Sequence, residues 1–354
     1  MSPFSCTIIL LGLSSLAAAL NFTQVFEWPD ELDYEWPSEA SRKHARRNGT
    51  FIRENIYPRY MAVYGPRIFL SLNKDDGIPV TLVTLPTSSA SSTPPKFTPF
   101  PSWDMHLNGK ENCNKIHQAE GLQVDSVGRL WVLDQGNSVS NCSSKLWIFN
   151  LNNNETELIH RFSIHDFMHD LVIDETQNGT FGYITLISEP HILVFSLERK
   201  ESWTVDTQGM EVSSIALSTK KEPGTLYLSK YDSNELFSIS VAALRNGTRA
   251  ANPEFIGNWT AKAYRMLMDN HGTKYAAFLW KNYLNAWNTS RPFQEQRVYD
   301  VTGLESFWPF TFAFDQNGTL WMTVFEDERK PRCRLLKAAL AANSAGEFPL
   351  KIEA

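Results

Sequence analysis

The sequence predicts an all-β protein, a six-bladed β-propeller with a central channel, preceded by one short N-terminal helix. The first observation is a repeated phrase, since "VDSVGRLWVLDQ" at residues 124–135 returns as "FDQNGTLWMTVF" at residues 314–325. The second is that weaker copies lie around and between these two, with turn glycines 45 to 63 residues apart. The third is a composition with 11 Trp and 22 Phe, which favours strands. A repeat of about 45 residues that holds three or four strands has the size of one propeller blade.

Each copy of the phrase predicts a strand, a tight turn and a second strand. Asp or Asn with Gly provides the positive-φ positions that such turns need. The six copies place the turns at Gly65, Gly128, Gly179, Gly224, Gly272 and Gly318. A third alternating segment follows most copies: "KLWIFNL" (145–151), "ILVFSL" (192–197), "ELFSIS" (235–240) and "YLNAWN" (283–288). Asp125, Asp174, Asp269 and Asp315 recur once per blade, which indicates that they cap the turns.

Two segments lie outside the repeated strands. "PSEASRKHARRNG" (37–49) predicts the helix, with Ser38 as its N-cap and Gly49 as its end. Its basic run is compatible with a solvated helix face, an anion-binding patch or a processing site. "LPTSSASSTPPKFTPFPSW" (85–103) predicts a Ser/Pro-rich loop inside the first blade, which accounts for the long first step of the repeat.

The N-terminus predicts export from the cell. The apolar run from Ile8 to Leu20 is too short to span a bilayer and ends in Ala17-Ala18-Ala19, so residues 1–19 read as a signal peptide. No Lys or Arg occurs before Arg42, which leaves the exact cleavage position open. The alternative to a signal peptide is an uncleaved anchor. Residues 20–354 then form a single six-bladed propeller domain of a secreted, extracellular protein.

Nine glycosylation sequons also agree with export from the cell. N-x-S/T sequons predict glycosylation at Asn21, Asn48, Asn141, Asn154, Asn178, Asn246, Asn258, Asn288 and Asn317. A net charge of −6 argues against nucleic acid or an anionic membrane as a partner. A monomer is the default expectation.

Four stretches carry a family resemblance. They are "VFEWPDELDYEWPSEASRKHARRNGTFIREN", "PRIFLSLNKDDGIPVTL", "PFPSWDMH" and "GRLWVLDQG". With them the chain resembles the Yellow/major royal jelly protein family of arthropods. The resemblance implies a secreted six-bladed propeller, in agreement with the blade count. Family roles are diverse and include pigmentation with dopachrome conversion, nutritive jelly proteins, and salivary proteins that bind biogenic amines, so the resemblance leaves the function open.

The resemblance also implies a cysteine pairing. Family members commonly have one Cys just before the "RLWVLD" strand and another near the turn of the next blade, whereas this chain has Val127–Gly128 and the neighbourhood of Asn178 at those places. Cys6 belongs to the signal peptide. The implied disulfide is therefore Cys113–Cys142, and Cys333 is expected to be a buried, unreactive thiol.

The repeat projects one ring of side chains into the central channel. Five residues before the turn position of each blade stand Glu120, His169, Ser213, Tyr264 and Phe310, with Arg59 as a looser equivalent in the first blade. Phe278 and Trp280, on the adjacent strand of the fifth blade, are weaker candidates. A carboxylate with aromatic rings suits a protonated aromatic amine, through an ion pair and cation–π contacts of about 0.5 to 2 kcal/mol each. In the structural alternative, Glu120 pairs with Arg59, and Tyr264 and Phe310 fill the channel.

Three functions follow from the residues and the resemblance. The first is a protein that binds a small aromatic or biogenic amine, or a catechol-derived metabolite, in its channel. The second is an enzyme of dopachrome conversion in melanization, for which His169 and Glu120 are the acid–base candidates. The third is a structural or secretory glycoprotein without catalysis. No cofactor is expected. A zinc site is not expected because His165 and His169 are about 13 Å apart in an extended chain, and a divalent metal on Glu120 is not expected because the projected ring supplies no clear Asp or Asn ligand beside it.

Overall fold

Six four-stranded antiparallel sheets form the protein, as the repeat predicts. The computed structural model describes residues 20–29, 32–88, 93–106, 112–137, 141–164, 166–187, 189–218, 224–300, 307–326 and 333–340, with backbone alone for 307–310 and 326. In five sheets, four consecutive strands lie side by side in chain order. The first strand of each repeat contacts the first strands of neighbouring blades, so these six strands surround the central channel.

The strand bounds follow the repeated phrase. An N-terminal strand, β1 (Thr23–Trp28), and a helix, α1 (Glu39–Arg47), precede the blades. The first blade consists of β2 (Pro58–Tyr64), β3 (Arg67–Leu72), β4 (Leu82–Pro86) and β5 (Thr98–Pro99). The second consists of β6 (Ala119–Val124), β7 (Arg129–Asp134), β8 (Lys145–Asn150) and β9 (Glu155–Arg161). The third consists of β10 (Met168–Thr176), β11 (Gly179–Leu186), β12 (His191–Ser196) and β13 (Glu201–Asp206).

The second half of the chain repeats this arrangement. The fourth blade consists of β14 (Val212–Ser218), β15 (Thr225–Lys230), β16 (Glu235–Ser240) and, after a short helix α2 (Val241–Arg245), β17 (Glu254–Asn258). The fifth consists of β18 (Ala263–Met268), β19 (Thr273–Phe278), β20 (Tyr283–Asn288) and β21 (Gln296–Asp300). The sixth contains β22 (Phe307–Phe314), β23 (Thr319–Glu326) and β24 (Cys333–Ala339).

The N-terminal strand closes the ring. The sixth sheet has the order β1-β24-β23-β22, so its outermost strand comes from the beginning of the chain. Trp28 pairs with Cys333 in this ladder, and Glu27 forms an ion pair with Arg334 at 3.0 Å. Phe26 and Trp28 pack in a cluster that contains residues of the sixth and first blades. The first and last parts of the propeller are thereby held together.

The repeated phrase has a structural basis in its Asp and Trp. Asp125 accepts hydrogen bonds from the Arg129 backbone N–H (2.8 Å) and the Trp131 indole (3.0 Å). Asp315 does the same for the Thr319 backbone and Trp321, both at 2.9 Å. Asp125 and Asp315 therefore cap their turns and fix a buried indole, and Asp269 also caps its turn by accepting from the Thr273 backbone at 2.8 Å. The prediction is wrong for Asp174, which accepts from the Tyr183 hydroxyl and Arg245, because Thr176 accepts from the Asn178 backbone in that turn. Five of the six turn glycines have positive φ, all except Gly224.

Apolar clusters fill the space between neighbouring blades. In one of them Trp131 and Leu133 of the second blade pack with Ile184 and Phe195 of the third. Each blade must bury both faces against its neighbours, and this requirement explains why the chain repeats its hydrophobic pattern. The predicted helix is also present, with Ser38 accepting from the Ser41 backbone at 3.0 Å as its N-cap.

A disulfide joins Cys113 to Cys142, as the resemblance implied, and Cys333 is a buried free thiol. Burial raises the pKa of the Cys333 thiol to about 12, which keeps it protonated and unreactive. Residues 1–19, the predicted signal peptide, lie outside the described residues. Within the described part of the chain, no helix has the length and apolar character needed to cross a membrane.

Candidate ligand site in the central channel

All six positions of the projected ring fall on one structural feature, a β-bulge in the inner strand of each blade. The pairing register shifts by one residue across Arg59, Ser213, Tyr264 and Phe310, and within the pairs Glu120–Gly121 and His169–Asp170. A bulge adds one residue to one strand and redirects the side chains beside it. The six predicted positions therefore lie at one level of the channel. At that level the bulges interrupt the alternation of side chains along the inner strands.

Close approach of the inner strands also explains a glycine in this layer. A Cβ placed on Gly121 would lie 2.9 Å from the His169 carbonyl oxygen of the next blade. That distance is shorter than a normal van der Waals contact, so only glycine fits without a shift of the backbone.

Glu120 is completely buried and pairs with Arg59, the structural alternative considered from the sequence. Its Oε2 lies 3.4 Å from Arg59 Nε, and its Oε1 accepts a 2.7 Å hydrogen bond from Gln118 Nε2. Arg59 in turn donates to Asn73 Oδ1 at 3.0 Å. Burial raises the pKa of Glu120, while the nearby Arg59 charge opposes this rise.

His169 is held as a neutral imidazole. Its Nδ1 lies 2.8 Å from the Ser213 carbonyl oxygen, and because a carbonyl only accepts, Nδ1 carries the hydrogen. Burial lowers the pKa of His169 well below its ordinary value, and the Arg265 and Arg59 charges lower it further. The unprotonated nitrogen is therefore Nε2, and the ring lies edge-on to Tyr60 with centroids 5.6 Å apart.

The remaining candidates have different surroundings. Ser213 donates from its hydroxyl to the Ser229 carbonyl oxygen at 3.2 Å. Tyr264 packs against the cluster between the fifth and sixth blades, and the side chain of Phe310 lies outside the described atoms. Phe278 is fully buried between the fourth and fifth blades, with Trp259 and Tyr283 as ring neighbours, and it does not line the channel cavity described below. Trp280 is 62% exposed in a left-handed backbone conformation.

The residues that follow Arg59, His169 and Tyr264 in the chain form a layer of side chains across the channel. Arg265 of the fifth blade stacks on the Tyr60 ring of the first blade, 3.3 Å from its centroid. The Arg265 Nη2 group donates to the Arg59 carbonyl oxygen at 2.9 Å, and Nη1 lies 3.7 Å from Asp170 Oδ1 of the third blade. Three blades that are not neighbours thus meet in the layer formed by Tyr60, Asp170 and Arg265.

A cavity of about 610 Å³ occupies the channel from this layer to the inner turns. Tyr60, Asp170 and Arg265 are its buried floor, and its mouth has exposed residues of the turns: Ser126, Glu175, Asn270, His271, Gln316 and Asn317. Apolar side chains line the wall between them: Met61, Val63, Leu122, Leu171, Val172, Ile215, Met266 and Phe312. The cavity is large enough for a small organic molecule.

None of the ring residues with described side chains lines this cavity, whereas the next residue along the chain does so in the first, third and fifth blades. Sequence reasoning missed Tyr60, Asp170 and Arg265 for this reason. A shift of one residue in the same projection would have found them. Among the described residues, no three His, Cys, Asp or Glu side chains form a group that could hold a metal ion.

Comparisons with known proteins identify the family of this chain. A family model described as "Major royal jelly protein" matches residues 118–216 and 206–323, together more than half of the chain. The chain belongs to the major royal jelly protein family. Among curated relatives, "Protein yellow" of Drosophila madeirensis is 24% identical over 363 residues, which cover 89% of this chain and 63% of the relative. "Protein yellow" of Drosophila melanogaster is 24% identical over 364 residues, 89% of this chain and 66% of the relative.

This member of the royal jelly family thus spans less than two thirds of the length of those relatives. Solved structures show the fold at lower identity. A streptogramin B lyase matches with a TM-score of 0.52 at 13% identity, covering 90% of this chain and 88% of the other. A luciferin-regenerating enzyme matches with a TM-score of 0.50 at 11% identity, covering 80% and 93%.

Proposed function

We propose that this royal jelly family member is a binding protein that takes up a small aromatic amine or catechol-derived metabolite in its central channel. The observation that carries the proposal is the cavity of about 610 Å³, closed at one end by the layer of Tyr60, Asp170 and Arg265. Apolar side chains line its wall between a polar floor and a polar mouth, so a small organic ligand with an aromatic part and polar groups finds contacts for both.

The charge around the cavity suits a cationic ligand that enters from the turn side. Glu175 is exposed at the mouth, where its carboxylate accepts from the Ser126 hydroxyl at 2.6 Å. An exposed carboxylate attracts an ammonium group only weakly, by about 1 kcal/mol at 4 Å in water. The apolar wall must therefore supply most of the affinity, since micromolar binding needs about 8 kcal/mol.

Glu120 is not the direct ammonium partner in this proposal, although the ring projection placed it there. Its carboxylate is already paired with Arg59 and lies outside the cavity lining. Its effect on binding is expected to be indirect, through the position of Arg59, whose carbonyl oxygen accepts from Arg265.

Calorimetry with serotonin, dopamine, histamine and octopamine tests the proposal. We expect near one-to-one binding of at least one compound to the wild-type chain. Val172→Trp should abolish it by filling the cavity, because Val172 lines the wall. Val127→Trp is the matched control, since Val127 is 62% exposed and lies outside the lining. Absence of heat with every compound, or equal binding by both variants, would defeat the proposal.

Dopachrome conversion is the second candidate, and neutral His169 favours it. Its Nε2 lone pair is a potential base, and the imidazole contacts Tyr60 of the cavity floor without lining the cavity itself. Loss of dopachrome absorbance should then be slower with His169→Ala than with the wild type. Equal rates in the two proteins would remove His169 from consideration.

The proposal includes secretion and glycosylation. Eight of the nine sequon asparagines are exposed, and Asn288 is half-buried with its Oδ1 accepting from the Ser290 backbone at 3.0 Å. Expression of the full sequence in insect cells should give a product in the medium that begins near residue 20. Peptide-N-glycosidase should lower its mass. An unchanged mass, or a product retained in the cell with residues 1–19 present, would contradict this part.

A further inference from the structure

Arg265 is a buried cation placed on the axis of the channel. Only 6% of the residue is exposed, and its guanidinium contacts the first and third blades from a strand of the fifth. Burial of a charge is costly unless the charge is paired and hydrogen-bonded. The partners of Arg265 therefore indicate what the site is built to hold.

The hydrogen bonds of this guanidinium are incomplete. Nη2 donates to the Arg59 carbonyl oxygen, whereas Nη1 is buried without a hydrogen-bond partner among the described residues. Asp170 Oδ1, at 3.7 Å from Nη1, is too distant for a hydrogen bond. A buried donor left without a partner costs about 1 to 3 kcal/mol, so an acceptor is expected beside Nη1.

Asp170 supplies charge to this layer without supplying that acceptor. Its Oδ1 accepts from the Leu171 backbone at 3.1 Å, and its Oδ2 accepts from the Ser214 hydroxyl at 2.7 Å and the Ile215 backbone at 3.1 Å. The carboxylate is held in place by these three donors. It compensates the charge of Arg265 and leaves Nη1 without an acceptor.

A second buried donor lies at the same place. The Tyr60 hydroxyl, like Arg265 Nη1, has no hydrogen-bond partner within the described part of the chain, and both side chains belong to the cavity floor. Two donors without acceptors at the closed end of the cavity suit a ligand oxygen that only accepts. Carboxylate oxygens do so, and guanidinium groups bind them with charge-assisted hydrogen bonds.

We propose that Arg265 and Tyr60 recognise a carboxylate of the ligand, so that the channel prefers a carboxylated aromatic molecule to its decarboxylated amine. This inference rests on the proposed function, because it names the ligand class of the same cavity. The aromatic part lies against the apolar side chains of the wall. The carboxylate meets Arg265 Nη1 and the Tyr60 hydroxyl after these two buried atoms turn toward the cavity.

Matched pairs of ligands test it on the full chain by calorimetry. 3,4-Dihydroxyphenylalanine differs from dopamine, and 5-hydroxytryptophan from serotonin, by the carboxylate alone. We expect the wild-type protein to bind the carboxylated member of at least one pair at least tenfold more tightly. Arg265→Gln should reduce this preference to within threefold, and Tyr60→Phe should reduce it partly while keeping the ring on which Arg265 stacks.

The control is Arg245→Gln, since Arg245 pairs with Asp174 away from the cavity. This variant should keep the wild-type preference. If Arg265→Gln does not fold, as judged by its thermal unfolding, Tyr60→Phe carries the test. Equal or tighter binding of the amines overturns the inference and leaves the proposed function standing. Failure of all four compounds to bind overturns the inference, and the proposed function falls as well only when histamine and octopamine also fail to bind.

Discussion

At the residue scale, Lys274 is a basic side chain that is buried beside aromatic rings. It is completely buried between the fourth and fifth blades, and its Nζ has no hydrogen-bond partner among the described residues. Its Nζ lies 3.5 Å from the centroid of the Tyr227 ring and 5.1 Å from that of Trp287. Burial lowers the pKa of Lys274 well below 10.5, because the cation–π contacts do not replace the lost hydration.

We expect Lys274→Met to raise the free energy of unfolding by about 1 to 3 kcal/mol at neutral pH, because an apolar side chain of similar length removes the desolvation cost. Between the lowered folded-state pKa and 10.5 the unfolded chain binds more protons, so wild-type stability rises with pH. The advantage of the variant should therefore shrink as the pH approaches 10.5. Urea unfolding at several pH values measures it.

The control for this prediction is Lys262→Met. Lys262 also lies over an aromatic ring, that of Tyr231 at 4.6 Å, but its side chain is 28% exposed and pairs with Asp232. It should change stability little at any pH. A Lys274→Met variant that is less stable than the wild type would show that the cation–π contacts exceed the desolvation cost.

The pair of Arg59 and Glu120 gives a second prediction at this scale. Removing Arg59 leaves a fully buried carboxylate without its charge partner, so Arg59→Met should cost about 3 kcal/mol. A double-mutant cycle with Glu120→Gln should give a coupling of at least about 1 kcal/mol. The exposed pair Arg297–Asp300, at a similar 3.3 Å, should give less than about 0.5 kcal/mol. Equal coupling in the two pairs would refute the role of burial.

Some residue-level features could be read from the sequence and others could not. The capping role of Asp125 and Asp315 was predictable, because the phrase in which they occur repeats along the chain. The contacts of Arg265 with Tyr60 and Asp170 were not, because they join blades that are distant in sequence and not adjacent in space.

At the element scale, the bulges decide the site. The level of the ring could be predicted, since the inner strand has the same length between bulge and turn in most blades. The side chains that face the cavity could not be predicted, because one additional residue in each bulge interrupts the alternation on which such predictions depend. The outer strands, such as β9 with its exposed and half-buried side chains, also lacked a clear pattern in the sequence.

The disulfide gives the prediction at this scale. Cys113 and Cys142 are 29 residues apart, and the closed loop should contribute about 3 to 4 kcal/mol by restricting the unfolded chain. Cys113→Ser together with Cys142→Ser should lower the melting temperature to that of the reduced wild type. Cys333→Ser should leave the sensitivity to reductant unchanged, since Cys333 is a free thiol. A melting temperature that does not respond to reductant in the wild type would contradict the prediction.

At the scale of the whole molecule, stability depends on closure of the ring by β1. Phe26 is 6% exposed and lies in the apolar cluster that joins the sixth and first blades. Phe26→Ala should therefore lower the free energy of unfolding by about 3 to 5 kcal/mol. Gln24→Ala, an exposed position of the same strand, should change it by less than about 0.5 kcal/mol. Urea unfolding followed by Trp fluorescence compares them, and similar losses for both would argue against closure by packing.

The sequence by itself determined the number of blades, the turns, most of the capping residues, the helix and, through the family resemblance, the disulfide. These features depend on local patterns that the chain repeats, so each copy supports the others. Only the tertiary structure decided which side chains form the cavity and which of them lack partners. The reason is physical: the floor is assembled from single residues of the first, third and fifth blades, and their contacts exist only when the ring is closed.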